Sequence, residues 1–251
     1  MPLVIKNHII SSNDITSSGV FDTKVNRAGL VLYLDSMDID SYPGSGTIWY
    51  DLSGNGHDAT LYNMNSPSAG NTSGFDTTTK YMMFDRHLGS GDGVGNNYAL
   101  VNNTNVLDGA LCENGMTVDM WVRESGYVCT ALTKWGGSWE IYYCNTLVFR
   151  TQGSGGTDGP SSVSTSSGTW RNIVATHDGI NRRLFVNGTI VLNDTNIVSG
   201  QNTTDPISIG AYNGGSYATF GAIPIYRVYN RPLNPYEIAE NFQATRGRFG
   251  I

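Results

Sequence analysis

The stretch WRNIVATHDGINRRLFVNGTIVL, Trp170 to Leu192, constrains this chain more than any other. Its apolar runs, Ile173 to Ala175, Leu184 to Val186 and Ile190 to Leu192, are separated by Asp178-Gly179 and Asn187-Gly188. Asn-Gly between two strand-like runs is a strong hairpin signal, because a type I′ turn needs positive φ at both central residues. The segment predicts an antiparallel meander. Composition extends that reading to the rest of the chain. Charged residues make up 14% of it, against roughly 25% in an average globular protein. Its 31 glycines and frequent Asn, Ser and Thr suit short strands joined by tight turns.

Other segments repeat the pattern. GLVLYLD, ending at Asp35, reads as a buried strand. MTVDMWVRES places Val118, Met120 and Val122 on one face and Thr117, Asp119 and Trp121 on the other. ALTKW and SWEIYYCNTLVFRTQ add strands around Gly136-Gly137, and residues 153–168 form a polar loop or exposed edge. NRPLNPYEIAENFQATRGRFG is the one helix signal: Asn234 as N-cap, Pro235 at the first position and Glu237 closing a capping box. Ile238 and Phe242 share a face, and Gly247 is expected to end the helix with positive φ. The reading is about a dozen strands and one short helix in a single domain. Residues 1–28 lack a sustained period and read as an extended arm before a domain spanning 29–251.

Several functions are disfavoured at this level. A net charge of −6 and a pI near 5.1 oppose nucleic-acid binding, which needs a basic surface. No apolar run approaches the roughly 20 residues of a membrane span, and no signal peptide is read at the start. Cys112, Cys129 and Cys144 match no metal-knuckle spacing and read as buried free thiols. GSGDGVGNN, residues 89–97, lacks the Lys-Ser/Thr pair of a phosphate loop and reads as an ordinary loop.

The segments GLVLYLD, WYDLSGNGHDATL, MTVDMWV, GTWRNIVATHDGINRRLFVNG and ISIGAYNGGSYATFGAIPIYRVYNRPLNPYEIAENF, in this order, resemble the laminin-G-like branch of the concanavalin A-like lectin/glucanase superfamily. The resemblance covers about residues 29–245. It implies an all-β fold: an antiparallel β-sandwich of the concanavalin A-like jelly-roll type, its first strand beside its last. The ending NFQATRGRFGI also looks like virion proteins of tailed bacteriophages. That likeness implies a non-enzymatic structural or decoration protein on the virion surface. It would be held to capsid or tail proteins through the arm, as a homo-oligomer without membrane insertion. A glycan-binding adhesin is the alternative, with host or environmental glycans as partners.

Candidate sites follow from both readings. WYDLSGNGHDATLYN reads as a structural turn, with Asp51 and Ser53 bonding nearby N–H groups and Gly54 and Gly56 permitting a tight backbone. Calcium at Asp51 and Asn55 is the alternative that the resemblance raises, although calcium wants six to eight oxygens. The glucanases of the superfamily carry paired carboxylates on one strand. Here Asp119 is flanked on its face by Thr117 and Trp121, and WEIYY offers only Glu140. Both read as edge or capping groups, so hydrolysis is disfavoured and no catalytic residue is assigned. For sugar stacking, the aromatics bordering Gly-rich turns are the candidates: Trp135, Trp139, Tyr212 and Tyr217, with Asn213 and Ser216 as hydrogen-bonding neighbours.

Overall fold

The computed structural model describes residues 25–64, 74–84, 97–102, 115–124, 130–134, 139–143, 146–151, 162–164, 168–195, 205–211, 219 and 221–251. Residues 1–24, the three cysteines, positions 89–96, Trp135, Tyr212, Asn213, Ser216 and Tyr217 lie outside them.

Sixteen strands in two antiparallel sheets are described, more than the dozen expected. The excess comes from pieces of two or three residues that leave no periodicity to read. Sheet I contains β1 (Leu30–Asp35), β4 (Gly74–Phe75), β5 (Met82–Phe84), β7 (Met116–Glu124) and β12 (Arg171–His177). It is completed by β13 (Arg182–Val186), β14 (Thr189–Asp194) and β16 (Gly221–Tyr229). Its order is β14-β13-β12-β7-β16-β5-β4, with β1 also on β16. Sheet II contains β2 (Ile48–Trp49), β3 (Ala59–Tyr62), β6 (Tyr98–Val101), β8 (Thr130–Lys134), β9 (Trp139–Tyr143), β10 (Thr146–Thr151), β11 (Ser162–Ser164) and β15 (Ile207–Ile209). Its order is β11-β10-β9-β8-β15-β6-β3-β2, which puts β11 on an edge.

The local signals fold as their chemistry requires. Asn187 and Gly188 take φ of 51° and 75° between β13 and β14, giving the expected hairpin. Leu30 pairs with Tyr229, so the first strand lies against the last. In β7, Met116, Val118, Met120 and Val122 face the core between the sheets, while Trp121 faces the other way. The helix α1 (Pro235–Thr245) carries the full capping box at Asn234 and Glu237. Its end differs from expectation. A 3-10 turn, Arg246–Phe249, follows directly, and Gly250 rather than Gly247 takes the left-handed conformation, at φ 72°. The turn continues because Phe249 is drawn onto the sheet, its ring centroid 4.0 Å from that of Trp121.

That packing covers sheet I on both faces. Leu32, Leu34, Tyr226 and Val228 point into the sandwich. Tyr33, Trp121, Phe185 and Tyr229 pack outward against Ile238, Phe242 and Phe249. A strand buried on both faces reads as a continuous apolar run, which is why GLVLYLD and GAIPIYRVY lack alternation. Contacts with this body begin at Val25, which is buried. Asn26 donates its backbone N–H to Asn241 Oδ1 at 2.9 Å and its side-chain N–H to Glu237 Oε1 at 3.0 Å.

Candidate functional site

The outer face of sheet II, at its β2–β3–β6 end, is where described side chains meet solvent in an organised pattern. In β3 the buried Ala59 and Leu61 alternate with the half-buried Thr60 and exposed Tyr62. In β6, Ala99 and Val101 point inward and Tyr98 and Leu100 outward. Register pairs Tyr62 with Tyr98, Thr60 with Leu100, and Ile48 with Thr60. One step further, Tyr50, Asp58 and Asn102 are all exposed and share the groove floor with Ile48 and Thr60. The groove has a volume of about 360 Å³ and is lined by Ile48, Tyr50, Gly56, His57, Asp58, Thr60 and Asn102.

Two aromatic elements frame it. Tyr62 and Tyr98 stack with ring centroids 5.0 Å apart and planes 15° apart, and Tyr62 remains 40% exposed. Burial and the neighbouring Tyr62 phenol push Tyr98 above the ordinary tyrosine range, so its hydroxyl is neutral near pH 7. At the other end Tyr50 is 44% exposed. Its backbone is pinned by Ser41, whose carbonyl accepts the Tyr50 N–H at 2.7 Å and whose hydroxyl donates to the Tyr50 carbonyl at 2.6 Å.

The turn beneath the groove is a folding device. Asp51 Oδ1 accepts from the Tyr33 and Ser53 N–H groups, both at 2.8 Å. Its Oδ2 accepts from Ser53 Oγ at 2.7 Å and the His57 N–H at 3.0 Å. Asn55 turns its amide nitrogen toward the carbonyls of Leu30 and Val31, both at 3.2 Å. Gly54 and Gly56 take φ of 91° and 75°. The oxygens of Asp51 are thus committed to backbone N–H groups and the Ser53 hydroxyl, and Asn55 presents a donor to its neighbours, so the pair does not fit a calcium ion. No cluster of three His, Cys, Asp or Glu stands together among the described residues. What the turn does hold is Asp58, whose Oδ1 accepts the Asp51 N–H at 2.8 Å. His57 Nε2 lies buried at the groove without a hydrogen-bond partner.

Three sequence expectations change here. Trp139 is 1% exposed and belongs to the core between the sheets, so its ring is no ligand platform. Asp119 is not an edge or capping group: it is fully buried on the outer face of sheet I, beneath α1. Arg227 Nη1 donates to its Oδ2 at 3.0 Å, Asn241 Nδ2 to the same oxygen at 3.1 Å, and Asn172 Nδ2 to Oδ1 at 2.7 Å. Glu140 is also buried, at 7% exposure, between the inward-facing Trp139 and Ile141 of sheet II, and so faces outward on that sheet. The two carboxylates lie on opposite sides of a sandwich whose layers are about 10 Å apart. They cannot serve as a glycosidase's carboxyl pair, which needs about 5–5.5 Å for retention or about 6.5–9.5 Å for inversion.

Tyr50, Tyr62, Tyr98, Thr60 and Asn102 escaped the sequence reading. The alternation in DATLYN puts Tyr62 on the face of Thr60, which is a usable signal. Its stacking on Tyr98, a residue of another strand, has no local trace.

Comparison with known proteins bears on this arrangement. The Laminin_G_3 family model, described as the concanavalin A-like lectin/glucanases superfamily, matches residues 92–239. No curated protein matches the sequence. Domain 4 of AbnA, a GH43 extracellular arabinanase from Geobacillus stearothermophilus in complex with arabinotriose, is similar in structure. The TM-score is 0.57 at 17% identity over 87% of this chain and 100% of that one. The binding domain of botulinum neurotoxin DC in complex with SialylT gives 0.62 at 15% identity, over 87% of this chain and 52% of the other. A Trypanosoma rangeli sialidase mutant displaying trans-sialidase activity gives 0.55 at 15% identity, over 90% and 34%. The chain thus spans about half the length of the neurotoxin binding domains it matches. Such identities speak for the fold alone. The family model covers more than half of the chain, and the two-sheet antiparallel sandwich agrees with it. The chain therefore belongs to the concanavalin A-like lectin/glucanase superfamily, in its laminin-G-type branch.

Proposed function

We propose that this domain is a non-enzymatic, lectin-like module that binds a glycan on the outer face of sheet II. The stacked, solvent-facing pair Tyr62–Tyr98 beside a groove lined by Asp58, Thr60 and Asn102 carries the reading. The apolar C–H face of a sugar packs on a ring, while its hydroxyls need fixed donors and acceptors at the ring's edge. An aromatic platform beside fixed polar groups offers both kinds of contact. The neighbours support it: one was solved with arabinotriose and another with SialylT. The separation of Asp119 from Glu140 supports a binding role rather than hydrolysis. A glycan array decides the matter. The wild-type protein should give signal, and the Tyr62→Ala/Tyr98→Ala protein should lose it while its circular-dichroism melt moves by only a few degrees. Absence of signal from a wild-type multimer ends this reading.

The setting we propose is display on a bacteriophage virion, on head or tail, with the residues before Val25 as the attachment segment. This rests on the sequence resemblance. In an oligomer, weak single sites would gain avidity by roughly 10²–10⁴-fold. Deleting residues 1–24 should abolish particle attachment or oligomerisation with the melt unchanged. A large loss of monomer stability would instead make that segment part of the sandwich.

A further inference from the structure

The geometry points to a neutral oligosaccharide chain laid along the strands, rather than a single acidic sugar, as the occupant of this face. The inference rests on the carbohydrate-binding reading above and concerns which glycan that face takes.

Spacing is the first observation. The Tyr62–Tyr98 platform closes one end of the face and Tyr50 the other, with Ile48, Thr60 and Leu100 between them. From Tyr62 to Asp58, the residue beside Tyr50 across β2 and β3, the chain advances four positions, or about 13 Å at about 3.3 Å per residue. One six-membered ring cannot touch both platforms. Two or more linked rings can, with the middle of the chain over the Thr60 hydroxyl. The open strip is three strands wide, about 10 Å. It closes at β15, where Ser208, level with Leu100, is 2% exposed and donates its hydroxyl to the Ala211 carbonyl. Because the two platforms are set apart along the strand direction, a segment that reaches both runs parallel to the strands.

Charge is the second observation. Asp58 is the acidic side chain lining the groove, Asp51 lies beneath it, and no described lysine or arginine lines it. The whole chain carries −6. A uronate or sialate carboxylate would lie against Asp58 with no guanidinium among the described residues of the groove to receive it. Sugar hydroxyls, by contrast, donate to an ionised carboxylate in charge-assisted hydrogen bonds. Asp58 thus accepts a neutral glycan and repels an acidic one.

Calorimetric titration of the full chain tests this with three probe series, each from mono- to hexasaccharide: arabino-oligosaccharides, gluco-oligosaccharides and oligogalacturonides. At least one neutral series should bind about tenfold more tightly at the trisaccharide than at the monosaccharide. Tyr50→Ala should erase that gain while leaving the weaker, Tyr62-dependent binding of the shortest sugars. Oligogalacturonides should bind about tenfold more weakly than the neutral series, and Asp58→Asn, which keeps the acceptor for the Asp51 N–H, should narrow the gap. Affinity independent of length, or oligogalacturonides binding as tightly as neutral sugars, overturns this inference and leaves the glycan-binding reading intact. So does a positive glycan array with no binding in any series. Silence in every series and on the array removes the parent reading as well.

Discussion

The two sheets of this sandwich share one core and differ in what lies behind them. Sheet I has its outer face roofed by α1 and the Arg246–Phe249 turn, so that all nine residues of β16 and all seven of β12 are buried. Under that roof sits a buried polar cluster, Asp119 with Arg227, Asn172 and Asn241, and at its margin Asp35 is held by Nη1 and Nη2 of the half-buried Arg248, each at 2.6 Å. Sheet II, at β2–β3–β6, alternates buried and solvent-facing residues and offers its tyrosines to the outside. The difference separates two tasks. Buried charges cost a great deal when one partner is lost, so single substitutions under this roof are the ones the fold tolerates least. An open face contributes little to folding, so sheet II is free to vary in what it recognises.

The comparison is broken most forcefully at Arg227. Arg227→Met leaves Asp119 buried with two amide donors and without its cationic partner, and should cost about 3–5 kcal/mol of unfolding free energy in urea titration. Adding Asp119→Leu should restore most of it, since an apolar pair of similar volume often substitutes neutrally for a buried ion pair. A double variant as unstable as the single would mean that shape, not charge, holds the roof. Next comes Phe249→Ala, which strips the ring from Trp121 and should cost about 3 kcal/mol. Trp121 emission should shift to the red as water enters. Unchanged emission would put the turn outside the roof.

Smaller effects sharpen the picture at the edge of the roof. Asn234→Ala removes the N-cap of α1 and should cost about 1 kcal/mol, read as a lower urea midpoint with an unchanged slope. Glu237, gripped first by Arg231 and also by the Asn234 N–H, has its carboxyl held below the ordinary glutamate range. Because its folded pKa is depressed, its stabilisation is fully present above the unfolded value near 4.3 and fades as pH falls through the folded value. Glu237→Gln should therefore flatten stability against pH below about pH 4.3, and an unaltered acid limb would assign that limb elsewhere. Asp178 can share it: burial pushes its carboxyl up, but N–H groups of Asn181 and Ile180 and the Arg183 guanidinium bring it well below the usual range. Smallest of all should be Tyr62→Ala on sheet II, within about 0.5 kcal/mol in the same assay. A loss comparable to Phe249→Ala would erase the distinction between the sheets.

The sequence by itself determined whatever depends on neighbours along the chain. The Asn187-Gly188 hairpin, the capping box at Asn234 and Glu237, the Asp51 turn and the two-faced alternation of β7 are all local. Each starts from backbone sterics and hydrogen bonds spanning a few residues, although the Asp51 turn is also tied to Tyr33 and Leu30. Tertiary structure decided which face of each strand is covered and by what. Alternation makes Trp139 and Glu140 opposites but cannot say which points inward, and the ring went to the core. Asp119 reads as an edge or capping group because its partner, Arg227, lies 108 residues further along. The platform Tyr62–Tyr98 exists only because β3 and β6 pair in register. Pattern along a strand is fixed by its own side chains, whereas its partner and its cover are chosen by the whole chain's burial of apolar surface, to which no short window has access.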